Sequence, residues 1–277
     1  MKYNGELSVI DTQEKAYLLG QIYGDGCNNC KVNGYKVTLG SINTDTDTYA
    51  ALAQIFPFLK LKTYKSHSNM IYLESYEKSL CLDLQKLGME SPKTPKDKSG
   101  EFYFPNLRED LYPHFIRGYF DADGAAYLPS RKRSRNNLRI EFGCSTPNFL
   151  RRIQEVLRKN EMEFTWYERD KTAGNGKFYH SCTILSSNQE TSRKFADFIY
   201  KDATIYLQRK YEICYKKSEY RPTMHELYGY CPYCGGTNLW RQSKRQTKRG
   251  LMQRILCKSC NKRFQRPMPT PEVTQDA

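Results

Sequence analysis

Long apolar runs are missing from this chain, and with them any segment able to cross a bilayer as a helix. The first residues, MKYNGELSVIDTQEK, hold no hydrophobic stretch of the kind that directs secretion. The protein is therefore expected to stay inside the cell, in cytoplasm or organelle, with its thiols reduced. Acidic residues are the minority charge: 30 Asp and Glu stand against 44 Lys and Arg, a formal net charge of +14. That balance points to a polyanionic partner, nucleic acid first. No amphipathic helix with a continuous basic face is present to favour a membrane surface instead. Histidine is scarce. The four copies, His67, His114, His180 and His225, are scattered, and no histidine-built ligand cluster is expected.

What the chain does have is repetition. AYLLGQIYGDG at 16–26 and HFIRGYFDADG at 114–124 share one pattern. After the first come a hairpin with a turn at Asn33-Gly34 and a helical stretch, TYAALAQIF. After the second come strands AAYLPS and LRIEFGCS around a basic turn, then the amphipathic NFLRRIQEVLRKN. Each half adds a second hairpin and a closing helix, the last read as one helix over residues 191–217. The expected fold is α+β, with an antiparallel four-stranded sheet in each half. The halves are placed at 10–110 and 111–217, followed by a linker at 218–228, a cysteine-rich module at 229–266 and a structureless tail at 267–277.

Read as helices, the two motifs carry small residues four apart on one face, Gly20 and Gly24 in one, Gly118 and Ala122 in the other. Such faces let two helices pack with their backbones close together. Each helix ends in Asp-Gly, Asp25-Gly26 and Asp123-Gly124, where the glycine is expected to take the left-handed conformation that stops a helix. A carboxylate at the negative end of a helix dipole is unfavourable, and two such ends would converge, so a hard cation such as Mg²⁺ fits between them. Tyr23 stands where the other motif has Asp121. Asp25 and Asp123 are thus the candidate ligands, and Asp121 is expected to cap or orient.

These residues resemble the signature of the LAGLIDADG homing endonucleases, with LLGQIYGDG at 18–26 and IRGYFDADG at 116–124 as its two copies. The resemblance spans roughly residues 10–217, and the first copy departs from the signature at Gln21 and Tyr23. It implies a pseudo-symmetric monomer whose two saddle-shaped sheets read a long, specific double-stranded DNA site. It also implies that Asp25 and Asp123, with the carbonyls of Gly24 and Ala122, bind the catalytic Mg²⁺ ions. Asn43 and Thr146 match the family's polar water-positioning residues, and Lys93 and Lys210 its basic supporting positions. For DNA contact the basic turn offers Arg131, Lys132, Arg133 and Arg135, and the loop at 169–177 offers Lys171 and Lys177. An RNA-binding intron maturase and a cleavage-dead DNA-binding regulator are the alternatives on this scaffold; retention of both aspartates disfavours the second.

The cysteines divide. Cys231-Pro-Tyr-Cys234-Gly and Cys257-Lys-Ser-Cys260-Asn are two CxxC knuckles, spaced for a closed four-thiolate Zn²⁺ site in a short ribbon, resembling zinc ribbons. No Asp or Glu lies between Tyr228 and Arg266, while Arg241, Lys244, Arg245, Lys248, Arg249 and the cations from Arg254 to Arg266 are interleaved with Tyr233, Trp240 and Phe264, so the ribbon is expected to touch DNA. Cys27 and Cys30 lack a second knuckle and read as hairpin residues. Cys81, Cys144, Cys182 and Cys214 read as core thiols.

Overall fold

The computed structural model describes residues 2–31, 34–89, 102–128, 138–172, 176, 178–215, 224–248 and 250–268. They form two compact units, residues 1–219 and 220–277. The first contains both predicted halves and is α+β.

In the first half, α1 (Gln13–Asp25) starts at Thr12, whose hydroxyl accepts from the amide of Lys15. There follow β1 (Gly26–Lys31), β2 (Gly34–Ile42), α2 (Thr46–Ile55), β3 (Lys60–Thr63), β4 (Met70–Ser75) and α3 (Lys78–Lys86). The second half repeats the order with α4 (Tyr112–Asp123), β5 (Gly124–Tyr127), β6 (Arg139–Cys144), α5 (Pro147–Lys159), β7 (Thr165–Thr172), β8 (Phe178–Ser186) and α6 (Gln189–Tyr200). Both sheets are antiparallel with the same strand sequence, β1-β2-β4-β3 and β5-β6-β8-β7. The duplication read from two short motifs therefore extends to the topology.

Strand alternation gives each sheet a buried face and an open one. Val37, Leu39, Ile71 and Leu73 in the first, and Ile140, Phe142, Cys182 and Ile184 in the second, point into one core shared with the helices. At about 25 cal/mol per Å² of apolar surface, each fully buried Leu, Ile or Phe contributes roughly 1.5–3 kcal/mol.

Two expectations need correction here. The closing helix is not continuous: α6 ends at Tyr200, and α7 (Gln208–Tyr215) begins after a bent connection. The break is fixed by partners distant in sequence, because the carbonyls of Ile199 and Ile205 accept from the Arg117 guanidinium and the Leu207 amide donates to Asp121. The first hairpin pairs Lys31 with Gly34, so Gly34 is a strand residue and not part of the turn, while Asn33 lies outside the described residues.

The second unit holds a short helix, α8 (Met224–Tyr228), inside the segment expected to be a linker. Strands β9 (Leu239–Thr247), β10 (Gly250–Cys257) and β11 (Arg263–Pro267) follow, in the sheet order β11-β10-β9. Its core is small: Tyr228, Ile255 and Phe264 pack around Cys231 and Cys257.

Candidate active site and nucleic-acid interface

The motif helices α1 and α4 meet along their small residues. A Cβ on Gly20 would lie 2.2 Å from the Phe115 carbonyl oxygen, and one on Gly118 would lie 2.1 Å from that of Tyr17. One on Gly24 would fall 2.3 Å from the Ala122 Cβ. Glycine is required at this seam because backbone stands where a side chain would go. Asp25 and Asp123 are the next residues after the touching Gly24 and Ala122, and both are exposed.

The glycines after them act differently from expectation. Gly26 and Gly124 are extended, with φ −78° in each, so neither takes a left-handed stop. They are needed for closeness instead: a Cβ at 26 would lie 2.5 Å from the Ile22 carbonyl oxygen, and one at 124 would lie 2.2 Å from the Phe120 ring. The chain thereby passes straight from each motif helix into the first strand of its sheet, which fixes the aspartates at the junction.

Beneath the end of α4 lies Lys210, on α7 and 4 % exposed. Its ammonium donates to the carbonyls of Phe120 and Gly124 (2.6 Å) and reaches that of Ala122 at 3.5 Å. The Phe120 carbonyl also accepts from the Gly124 amide, so the ammonium is a second donor there, and a cation at this helix C-terminus offsets the dipole. Burial pulls the Lys210 amine down to about 8, while the charges of Asp121, Asp25 and Asp123 hold it up. Both candidate ligands thus lie within electrostatic reach of one buried cation.

Asp121 does not cap its helix. Fully buried, it accepts from Tyr17 (3.0 Å), Tyr200 (2.6 Å) and the Leu207 amide (2.8 Å). Burial pushes its carboxyl up, opposed by the Lys210 charge and those three donors. It orients the connection that delivers Lys210. Tyr23, at the matching place in α1, donates to the Leu87 carbonyl after α3, so both positions tie a motif helix to the end of a later helix by different chemistry.

Asn43 follows β2, is exposed, and its amide donates to the Asn69 carbonyl at 2.9 Å. Thr146, its sequence counterpart, is fully buried ahead of α5, so the two matching positions do not share surroundings. Lys93, Arg131, Lys132, Arg133, Arg135, Lys177 and Arg249 lie outside the described residues, as does the side chain of Lys171.

Sequence reading passed over several residues. Arg117, inside the second motif, is fully buried; it donates to Ile199 and Ile205 and lies 5.2 Å from the Tyr17 ring centre. Arg209 pairs with buried Asp45 at 3.0 Å. The open faces also went unread. On the first sheet, Lys36, Thr38, Lys60, Lys62 and Tyr72 share one face with Glu74, whose charge Lys36 neutralises at 2.7 Å. On the second, Tyr167 and Arg169 are exposed opposite Thr183 and Ser181. Period-two alternation was the available signal.

In the second unit, the Sγ atoms of Cys231, Cys234, Cys257 and Cys260 all lie within 4.8 Å of one another. The residues after the knuckles, Gly235 and Asn261, have φ of +68° and +57°, as tight knuckles require. The Cys260 amide draws the Cys257 thiol down to about 6. Four sulfurs in this arrangement are compatible with tetrahedral zinc. Arg241, Lys244, Arg245 and Lys248 are exposed on and after β9, and the Lys258 ammonium lies 4.2 Å from the Trp240 ring centre. A second cluster falls in the first unit: Glu168, His180 and Cys182 also bring their ligand atoms within 4.8 Å. This grouping was not read from the sequence, because it is the pairing of β7 with β8 that brings the three side chains together. Cys144 is half-buried rather than a core thiol.

Among the described residues no helix is long and apolar enough to cross a membrane. Residues 110–200 match the family model of the LAGLIDADG-like domain. No curated protein matches the chain. Solved structures similar to it include mesophilic variants of the homing endonuclease I-DmoI (14% identity, TM-score 0.45, 71% of this chain and 98% of that one). The LAGLIDADG meganuclease I-AabMI bound to uncleaved DNA is similar at 13% identity and TM-score 0.45, over 71% of this chain and 86% of that one. The I-SmaMI LAGLIDADG homing endonuclease bound to cleaved DNA is similar at 10% identity and TM-score 0.47, over 74% and 87%.

Proposed function

We propose that this protein is a single-chain, site-specific DNA endonuclease of the LAGLIDADG homing type, in which Asp25 and Asp123 hold divalent cations that cut the two strands. The observation that carries this reading is the meeting of the two motif helices at Gly24 and Ala122, with one carboxylate just beyond each and Lys210 buried below.

The donor set fits a hard cation. Two carboxylates are too few to enclose an ion, so water, main-chain carbonyl and phosphate oxygens would complete its shell, as Mg²⁺ prefers. A cation bound there supplies Lewis-acid stabilisation of the phosphoryl oxygens and a lowered pKa for water. The chain's own residues do the positioning: the seam sets each carboxylate one residue beyond the touching Gly24 and Ala122, and Lys210 offsets the end of α4 and the carboxylates together. Lys36, Lys60 and Lys62 on one open face, and Arg169 on the other, would meet phosphates, with Thr38, Tyr72 and Tyr167 available to base edges. Each half presents one sheet face and one aspartate, so a monomer can act on two strands.

The decisive measurement is cleavage of sites selected from a randomised duplex library in Mg²⁺. Asp25→Asn and Asp123→Asn are each expected to lower double-strand cutting at least a hundredfold while leaving the melting temperature and duplex affinity close to wild type. Near wild-type cutting by either variant, or wild-type protein that selects only RNA, would refute the assignment.

A further inference from the structure

The pair of strands β7 and β8 carries a ligand group that the nuclease reading does not use. Glu168 faces Cys182 and Asp170 faces His180 in the β7–β8 register, and all four side chains lie on the sheet face that continues into the core at Trp166 and Ile184. This is the face turned away from Tyr167 and Arg169, so the group stands apart from the surface proposed to meet DNA.

We propose that Glu168, His180 and Cys182 form a second metal site, selective for a zinc-class divalent ion, with Asp170 orienting the imidazole. The distances carry it. His180 Nε2 lies 3.3 Å from a Glu168 carboxylate oxygen, and that same oxygen lies 3.5 Å from the Cys182 sulfur. Zn–N and Zn–O bonds of about 2.0 Å and a Zn–S bond of about 2.3 Å predict tetrahedral edges of roughly 3.3 Å for N···O and roughly 3.5 Å for S···O. The two edges that meet at the Glu168 oxygen already have those lengths, and the imidazole nitrogen and the sulfur lie within 4.8 Å of each other. His180 Nδ1 meets Asp170 at 3.0 Å, the carboxylate–histidine arrangement that fixes the tautomer with Nε2 free to ligate.

Softness and charge select the ion. A thiolate, an imidazole and a carboxylate together disfavour Mg²⁺ and Ca²⁺, which prefer oxygen donors, and suit Zn²⁺ or Co²⁺. A thiol that ionises and a carboxylate together neutralise a divalent cation. Cys182 has no exposure, while the His180 and Glu168 side chains are 45% and 39% exposed. The ion would thus sit at the border of core and solvent, with three protein ligands and a fourth position for solvent. Bound there, it cross-links β7 to β8.

The test is zinc stoichiometry of the full-length protein, by native mass spectrometry after titration with Zn²⁺ and exchange into chelator-free volatile buffer. Wild type is expected to carry one zinc more than His180→Ala and Glu168→Gln, whatever the four-cysteine cluster holds, because that cluster is intact in all three. Asp170→Asn, altered only at an exposed carboxylate, is expected to bind the extra zinc roughly 10–100-fold more weakly. Zinc should slow amide exchange across the Glu168–Cys182 pair in wild type and not in His180→Ala. Equal zinc content in wild type and His180→Ala, with both folded by circular dichroism, would overturn the proposal, as would exchange indifferent to zinc in wild type.

Discussion

At the scale of single residues the molecule's clearest investment is Lys210, a buried ammonium that serves three carbonyls at the end of α4 and feels four charged neighbours. Replacing it by Met would keep the volume and remove the donor. The Gly124 and Phe120 carbonyls would lose the ammonium donor, and buried Asp121 would lose the charge that most opposes the effect of its burial. Lys210 and Asp121 act on each other through space and not as a contact pair, and leaving a buried charge without its compensating cation typically costs up to about 3–5 kcal/mol. Lys210→Met is therefore expected to lower unfolding free energy by about that amount in denaturant titration, and to reduce cutting more than its residual folded fraction explains. A variant as stable as wild type would show that Asp121 is held by its three hydrogen-bond donors alone. The sequence singled out Lys210 through the family resemblance as a basic supporting position, but not its burial against carbonyls, and it did not single out Arg117 at all. It stands within a motif read for its carboxylate and small residues, and nothing local says that its guanidinium is satisfied by carbonyls more than eighty residues away.

Among elements, the seam between α1 and α4 decides whether the two aspartates can meet. Gly118→Ala would drive a methyl into the Tyr17 carbonyl, 2.1 Å away, where only backbone movement gives relief. Gly143 offers an internal control: it lies in β6, and a Cβ there meets nothing within 4 Å. Overpacking against rigid neighbours costs typically 1–3 kcal/mol and occasionally more. Gly118→Ala is expected at or above about 3 kcal/mol destabilising, and Gly143→Ala within about 1 kcal/mol of wild type, by the same denaturant titration. Comparable effects from both would mean that the helices yield at the seam. The seam was readable because four-residue spacing of small residues is local information. The bend between α6 and α7 was not. An amphipathic pattern runs through it, and the forces that interrupt the helix come from Arg117 and Asp121 on another element. Gly26 and Gly124 teach a related lesson: Asp-Gly names a helix end correctly, yet the glycine is there for close packing and not for a left-handed φ.

For the whole molecule, charge is divided between two units that carry different chemistry. The first holds both motif aspartates; the second, residues 220–277, holds the four-cysteine cluster and exposed cations along β9. Its core of a few side chains around Cys231 and Cys257 is too small to fold without a staple, so the cluster's ion would be part of its stability and not of catalysis. Deleting residues 220–277 should leave a folded catalyst, because the hydrogen bonds and packing described around Asp25, Asp123 and Lys210 all lie within the first unit. DNA affinity should fall. For every phosphate that is no longer neutralised, the slope of log K against log salt should flatten by about 0.9, and exposed Arg241, Lys244, Arg245 and Lys248 are the cations at stake. The protected footprint should shorten at one end while cutting at saturating protein persists. Binding isotherms at several salt concentrations, paired with footprinting of full-length and truncated protein on one selected site, read all three quantities. An unchanged slope with an unchanged footprint would remove these cations from the DNA interface and leave the second unit a role other than DNA binding.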